Sequence, residues 1–141
     1  MIPRSRTHGF SLIELLLVLA ILGIISGIAI PAYMGQRRRA RVIGDAMANA
    51  KVMAMMLESR KAENGIYGTI GSGYTWTAGT PNTSATALLP SFTPQGNSSM
   101  NYAVEITSAG LAFTITVTDP SLGGVTAYQT DQTGAQLHKL Q

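Results

Sequence analysis

The feature that most constrains this sequence is an uncharged segment near its N-terminus. No Asp, Glu, Lys or Arg occurs between Glu14 and Arg37, and within residues 15–34 the only polar groups are Ser26 and the hydroxyl of Tyr33. Twenty residues of helix rise about 30 Å, which is the thickness of the hydrocarbon core of a bilayer. The rest of a 141-residue chain is too small to surround such a helix. We therefore interpret the segment as a membrane span rather than a buried core helix.

Composition excludes several classes of protein. Charged residues make up 12% of the chain and apolar residues 45%, against about 25% charged in an average soluble domain, so neither an ordinary water-soluble domain nor a disordered chain explains the whole sequence. The chain contains no cysteine, which excludes a disulfide framework, a thiolate metal site and a cysteine nucleophile. The net charge of +3 does not by itself predict nucleic-acid binding.

The helical pattern continues beyond the uncharged segment. Between residues 36 and 64, apolar residues recur every three or four positions, and charged residues occupy the opposite face. Asn64-Gly65 is a typical helix end. These signals predict one helix from about residue 10 to about residue 64. The apolar stripe consists of Val42, Ile43, Ala46, Met47, Ala50, Met53, Ala54 and Leu57.

Three residues in the span weaken the helix. Gly23 and Gly27 lower helix propensity, and Pro31 removes a backbone hydrogen bond, so we predict that the helix bends or melts between residues 23 and 31. Gly and Pro are also common in membrane helices, which is an equally good explanation of their presence.

Strand signals follow the helix. Residues 65–100 sustain no period and predict a connecting region, with local structure only around residues 74–76. Four alternating runs then predict an antiparallel meander, one face of which the helical stripe would cover. The predicted fold class is therefore α+β, a long helix packed on a four-stranded antiparallel sheet. The predicted strands are residues 102–107, 111–118, 125–130 and 135–140.

The sequence GFSLIE at residues 9–14 resembles the processing site of type IV prepilins and of the related pseudopilins of type II secretion. In that family a membrane peptidase removes a short basic leader after a Gly and methylates the new N-terminal residue, usually Phe. The resemblance therefore implies a leader of residues 1–9, cleavage between Gly9 and Phe10, and N-methylation of Phe10. It covers residues 1–67 strongly, whereas the C-terminal half resembles the family in architecture only.

The resemblance also implies a role for Glu14. A charge in hydrocarbon is costly and usually functional, although near the start of a span a glutamate can also reach the membrane edge. Cleavage after Gly9 would create an amine on Phe10, and in the family this amine meets the corresponding glutamate of a neighbouring subunit. Removal of one partner from such a buried pair costs roughly 3–5 kcal/mol. Cleavage would then act as the switch for assembly.

A basic cluster follows the uncharged segment directly. The positive-inside rule would place this cluster in the cytoplasm, whereas the family topology places the leader there, and we follow the family because its motif is more specific. The cluster is a possible site for phosphates, lipid headgroups or DNA. The alternative is that its arginines pair with acidic groups of neighbouring subunits or stay solvated. The cluster consists of Arg37, Arg38, Arg39 and Arg41.

Taken together, the residues and the resemblance predict a structural filament subunit that is not an enzyme. Its segments would be the leader 1–9, a transmembrane and filament-core helix 10–35 and a globular head 36–141. The expected partners are further copies of the chain, the prepilin peptidase and methylase, the pilus assembly machinery of the cytoplasmic membrane, and lipid around the precursor. The expected locations are that membrane and then an extracellular pilus. We predict no cofactor, catalytic residue or metal site.

Three alternatives remain open. One is a periplasmic pseudopilin of type II secretion, and another is a minor pilin for DNA uptake. The absence of an acidic calcium loop after residue 100 disfavours a major pseudopilin. The third is an ordinary secretory signal peptide cleaved near residues 27–29, which the long apolar run, Glu14 and the continuing helical pattern disfavour.

Overall fold

The computed structural model describes residues 9–77, 88–96 and 99–140. The predicted leader up to residue 8 lies outside these residues, as do residues 78–87 and 97–98 of the predicted connecting region. The described chain forms one helix followed by an antiparallel sheet, which confirms the predicted α+β class. It divides into two compact units, Met1–Arg37 and Arg38–Gln141.

The helix α1 spans Leu12–Asn64 and contains Pro31. It is helical at Gly23, Gly27 and Pro31, because a proline removes one backbone hydrogen bond while the neighbouring bonds can keep the helix continuous. The predicted melting is therefore absent from this structure, and a bend or break during filament assembly stays a prediction.

One face of the second part of α1 is buried. Val42, Ala46, Ala50, Met53 and Leu57 belong to the core of the second unit together with inward-facing residues of the sheet. This arrangement confirms the predicted apolar stripe as the cover of the sheet. The remaining stripe residues Ile43, Met47 and Ala54 are half-buried.

Within residues 9–77, 88–96 and 99–140 the sheet has five strands rather than the four predicted. Its strands follow one another in chain order, and every neighbouring pair is antiparallel. The additional strand is β1, which has no alternating pattern because its first half is glycine-rich and irregular in register. Pairing with the next strand defines it instead. The strands are β1 Gly71–Trp76, β2 Asn101–Thr107, β3 Ala112–Asp119, β4 Val125–Asp131 and β5 Gln136–Lys139.

Buried and less buried residues alternate along β2 and β3, and the buried ones form the part of the core that the sheet contributes. The predicted inward-facing residues Phe113, Ile115 and Val117 are all buried. Tyr67 packs edge-to-face on Phe113 with ring centroids 4.8 Å apart. The core is therefore aromatic as well as aliphatic, and edge-to-face contacts of this kind add to the stabilisation from burial.

Two short 3₁₀ turns connect the central strands. Ser108–Gly110 joins β2 to β3, and Pro120–Leu122 joins β3 to β4. Gly110 has φ +87°, and a Cβ placed on it would lie 2.7 Å from the carbonyl oxygen of Gly68. The β2–β3 connection therefore needs glycine at this position for backbone conformation and for space.

Candidate functional site

The predicted cleavage junction lies outside the helix. Gly9 and Phe10 precede the first residue of α1, and Phe10 is 86% exposed. The first helical hydrogen bond runs from the backbone nitrogen of Leu15 to the carbonyl oxygen of Ser11, at 3.2 Å. A Cβ on Gly9 would meet no atom within 4 Å, so contacts within the described chain impose no requirement for glycine there.

The side chains of Ser11 and Glu14 both accept backbone hydrogen bonds at the start of the helix. The backbone nitrogen of Ser11 donates to Oε2 of Glu14 at 2.8 Å, and the backbone nitrogen of Ile13 donates to Oγ of Ser11 at 3.3 Å. This arrangement is a capping box, which satisfies backbone donors that have no partner within the helix. The sequence reasoning missed Ser11, although a serine three residues before a glutamate and ahead of an apolar run is the signal for this motif.

The capping box holds the carboxylate of Glu14 towards the N-terminus. An ionised carboxylate can accept about four hydrogen bonds through its two oxygens, so a bond from Ser11 leaves capacity for a further donor. An amine on Phe10 of a neighbouring subunit is the donor predicted from the sequence. That pairing stays a prediction.

The first part of α1 presents an apolar surface. The helix is long and apolar enough to cross a membrane, by length and composition, and its most apolar 18-residue stretch has no buried residue. A Cβ on Gly23 or Gly27 would meet nothing within 4 Å. The predicted helix-breaking glycines therefore lie on open helix surface.

The basic cluster is exposed at all four arginines. Within the second unit, Arg39 lines a groove of about 910 Å³ together with His138 and Lys139 at the end of β5. The structure therefore brings the end of β5 close to Arg39, a proximity that the sequence does not reveal.

No metal site is apparent in residues 9–77, 88–96 and 99–140, where no group of three or more His, Asp or Glu side chains could hold an ion. The acidic residues Glu105, Asp119 and Asp131 lie on three different strands. Asp119 and Asp131 instead bond to nearby turns, accepting from Ser121 and Thr133 respectively.

Known proteins resemble this chain at the motif and along much of its length. A family model described as the prokaryotic N-terminal methylation motif matches residues 4–30. The type IV major fimbrial protein FimA of Dichelobacter nodosus is 32% identical over 108 residues, which cover 72% of this chain and 66% of that protein. The match thus spans about two thirds of the relative's length. No solved structure gives a significant match.

The matched motif includes Gly9, Phe10 and Glu14. The fimbrial relative extends the similarity well beyond the motif, and the fold is one long helix whose second part covers an antiparallel sheet. The resemblance in the first residues is thereby confirmed, and this chain belongs to the type IV pilin family.

Proposed function

We propose that this chain is the structural subunit of a type IV pilus-like filament. It is made as a membrane-anchored precursor, cleaved after Gly9, methylated on Phe10 and polymerised through α1. The observation that supports this best is the junction itself: an exposed Gly9–Phe10 bond outside the helix, directly before a capped helix with an apolar surface. In this role the chain supplies no catalytic group and is not an enzyme.

Cleavage changes both charge and chemistry at the junction. Hydrolysis of the Gly9–Phe10 bond releases the leader carboxylate and leaves an amine on Phe10. Loss of Arg4 and Arg6 lowers the formal side-chain charge from +3 to +1. The new amine then pairs with Glu14 of a neighbouring subunit, which neutralises both charges within the apolar filament core.

The exposed apolar helix has two successive environments in this proposal. In the precursor its surface lies in lipid, and in the filament the same surface packs against copies of itself. Full burial of one large aliphatic side chain stabilises a structure by roughly 1.5–3 kcal/mol relative to exposure in water. Helices that left the membrane would therefore stay associated, because the filament core replaces lipid as the apolar environment.

The similarity to a major fimbrial protein supports a pilus rather than a secretion pseudopilus. A pilus places the head at the cell surface after assembly. The peptidase, the methylase and the assembly machinery of the cytoplasmic membrane are the further partners of this proposal.

Intact mass and N-terminal sequence of the chain in sheared cell-surface filaments test the proposal. We expect a chain that starts at N-methylated Phe10 and is abundant in the filaments. A processed chain found only in membranes would instead identify a minor pilin or a pseudopilin. A chain that starts near residue 30 would overturn the pilin role and identify an ordinary signal peptide.

Variants of Glu14 test the assembly step. In Glu14→Gln the amide oxygen can still accept the bond from Ser11, whereas the charge is lost. We expect this variant to be cleaved but strongly depleted from filaments, while Glu105→Gln, at an exposed position on β2, assembles normally. Normal assembly of Glu14→Gln would rule out the proposed pairing.

A further inference from the structure

The groove beside the C-terminal strand is lined by both basic and apolar side chains. Val125 and Leu137 are about half exposed at its rim, and Leu140 is anchored there by a bond from its backbone nitrogen to the carbonyl oxygen of Ala127. None of the described residues that line the groove is acidic. The cationic lining residues are Arg39 and Lys139.

Charge along the head is strongly uneven. The four arginines of the basic cluster and Lys139 contribute five cations, whereas the rest of residues 42–138 carries three cations and six anions, a formal charge of −3. A surface that combines basic and exposed apolar side chains is typical of proteins that bind at a membrane interface, because anionic headgroups attract the cations while the apolar groups enter the acyl boundary.

The basic cluster lies close in sequence to the end of the apolar run. Arg39 follows Met34, the end of the apolar run, by five residues, which correspond to about 7.5 Å of helix. The headgroup region on each side of a bilayer core is about 5–8 Å thick. By distance along the chain alone, Arg39 is therefore expected within reach of the headgroups when the run fills the core.

We propose that this groove and the adjoining arginines dock the head of the precursor on anionic phospholipids of the membrane that anchors it. This inference rests on the membrane-anchored precursor of the proposed function. The headgroup phosphates pair with Arg39 and Lys139, and Leu137 enters the acyl boundary. Assembly must break these contacts, so they hold the subunit at the membrane surface until the filament takes it up.

The absence of cysteine from the chain permits a direct test. Leu137→Cys and Leu111→Cys each introduce a single thiol for a fluorophore, at positions that are 52% and 53% exposed. Leu111 serves as the matched control because it follows the β2–β3 connection, away from the groove. Each labelled full-length chain is placed as one copy per lipid nanodisc, with a headgroup-attached spin label as the quencher.

We expect quenching at position 137 to exceed that at position 111 several-fold in discs that contain phosphatidylglycerol. In purely zwitterionic discs, or in 1 M salt, the difference should fall at least three-fold, because surface charge attraction is screened. The double substitution Arg39→Gln with Lys139→Gln should produce a similar loss, whereas Lys51→Gln should not.

Several results would overturn the inference. The first two are equal quenching at both positions and quenching that does not depend on anionic lipid. The third is a change in label fluorescence at position 137 that occurs only when two copies share a disc, and the fourth is a change that occurs only on addition of duplex DNA. The third result would identify a second subunit as the occupant, and the fourth a nucleic acid. A chain that does not stay in zwitterionic discs would contradict the membrane anchor itself, whereas a retained chain without quenching would overturn the docking alone.

Discussion

The side-chain nitrogen of Asn49 lies 2.8 Å from the hydroxyl of Tyr102, and both residues are almost fully buried. Asn49 also donates to the carbonyl oxygen of Gln95 at 2.8 Å and accepts from its backbone nitrogen at 2.9 Å. One amide thus joins α1, β2 and the segment before β2. In a chain without cysteine, this polar connection ties together elements that a covalent crosslink could otherwise hold.

Asn49→Ala should destabilise the head by about 2–3 kcal/mol, because it leaves the backbone groups of Gln95 and the hydroxyl of Tyr102 without their buried partner. Ser59→Ala, at an exposed position of the same helix, should change stability by less than about 0.5 kcal/mol. Chemical unfolding of the full chain in detergent, followed by the fluorescence of Trp76, measures both. Equal stability of the two variants would show that the amide connection is not a stabilising contact.

Met53 and Met55 are the same residue type on the same helix but differ in burial. Met53 is fully buried under the sheet, whereas Met55, two residues later, is 72% exposed. Met53→Ala should cost about 2–5 kcal/mol, because the lost contacts leave a cavity, and Met55→Ala should cost less than about 0.5 kcal/mol. The same unfolding measurement compares the two variants, and a similar loss in both would contradict the register of α1 on the sheet.

Gly110→Ala should be more damaging than Gly123→Ala, although both glycines have positive φ. A Cβ on Gly123 meets nothing within 4 Å, so only the backbone strain of roughly 1–2 kcal/mol applies. At Gly110 the added atom also presses on the carbonyl oxygen of Gly68, while the backbone nitrogen of Tyr67 donates to the carbonyl oxygen of Gly110. Equal melting temperatures for the two variants would contradict the close approach of these two segments.

Much of the fold could be predicted because local pattern and tertiary structure agree. The stripe through Ala46, Ala50 and Met53 has a helical period, and Phe113, Ile115 and Val117 alternate, so burial follows directly from sequence spacing. The strand β1 could not be predicted in this way. Its glycines carry no alternating pattern, and only pairing with β2 makes it extended.

The motif at the candidate cleavage junction was recognisable for a different reason. Gly9, Phe10 and Glu14 are close in sequence, so a linear motif contains the whole junction. Asn49 was not predictable as a network residue, because its partners Gln95 and Tyr102 lie 46 and 53 positions away in the chain. Contacts of this kind depend on the packed fold rather than on local spacing.

Two buried tyrosines couple the stability of the head to alkaline pH. Burial raises the pKa of Tyr67 to about 12, helped by a bond from its hydroxyl to Oε1 of Glu58 at 2.7 Å and by the negative charge of Glu58. Burial also raises the pKa of Tyr102 to about 12, and the charge of Asp45 adds to this effect while the bond from Asn49 opposes it. An exposed tyrosine in the unfolded chain titrates near pH 10.

The free energy of unfolding should therefore fall as the pH rises from about 10 to about 12. In that range the unfolded chain has released the two phenolic protons and the folded chain still holds them, so each tyrosine contributes a slope of up to about 1.4 kcal/mol per pH unit. Below pH 10 neither contributes. Unfolding curves between pH 9 and 11.5, with tyrosinate absorbance in parallel, measure this slope. Tyr67→Phe should remove about half of the tyrosine contribution, and an unchanged slope would show that Tyr67 releases its proton equally in both states.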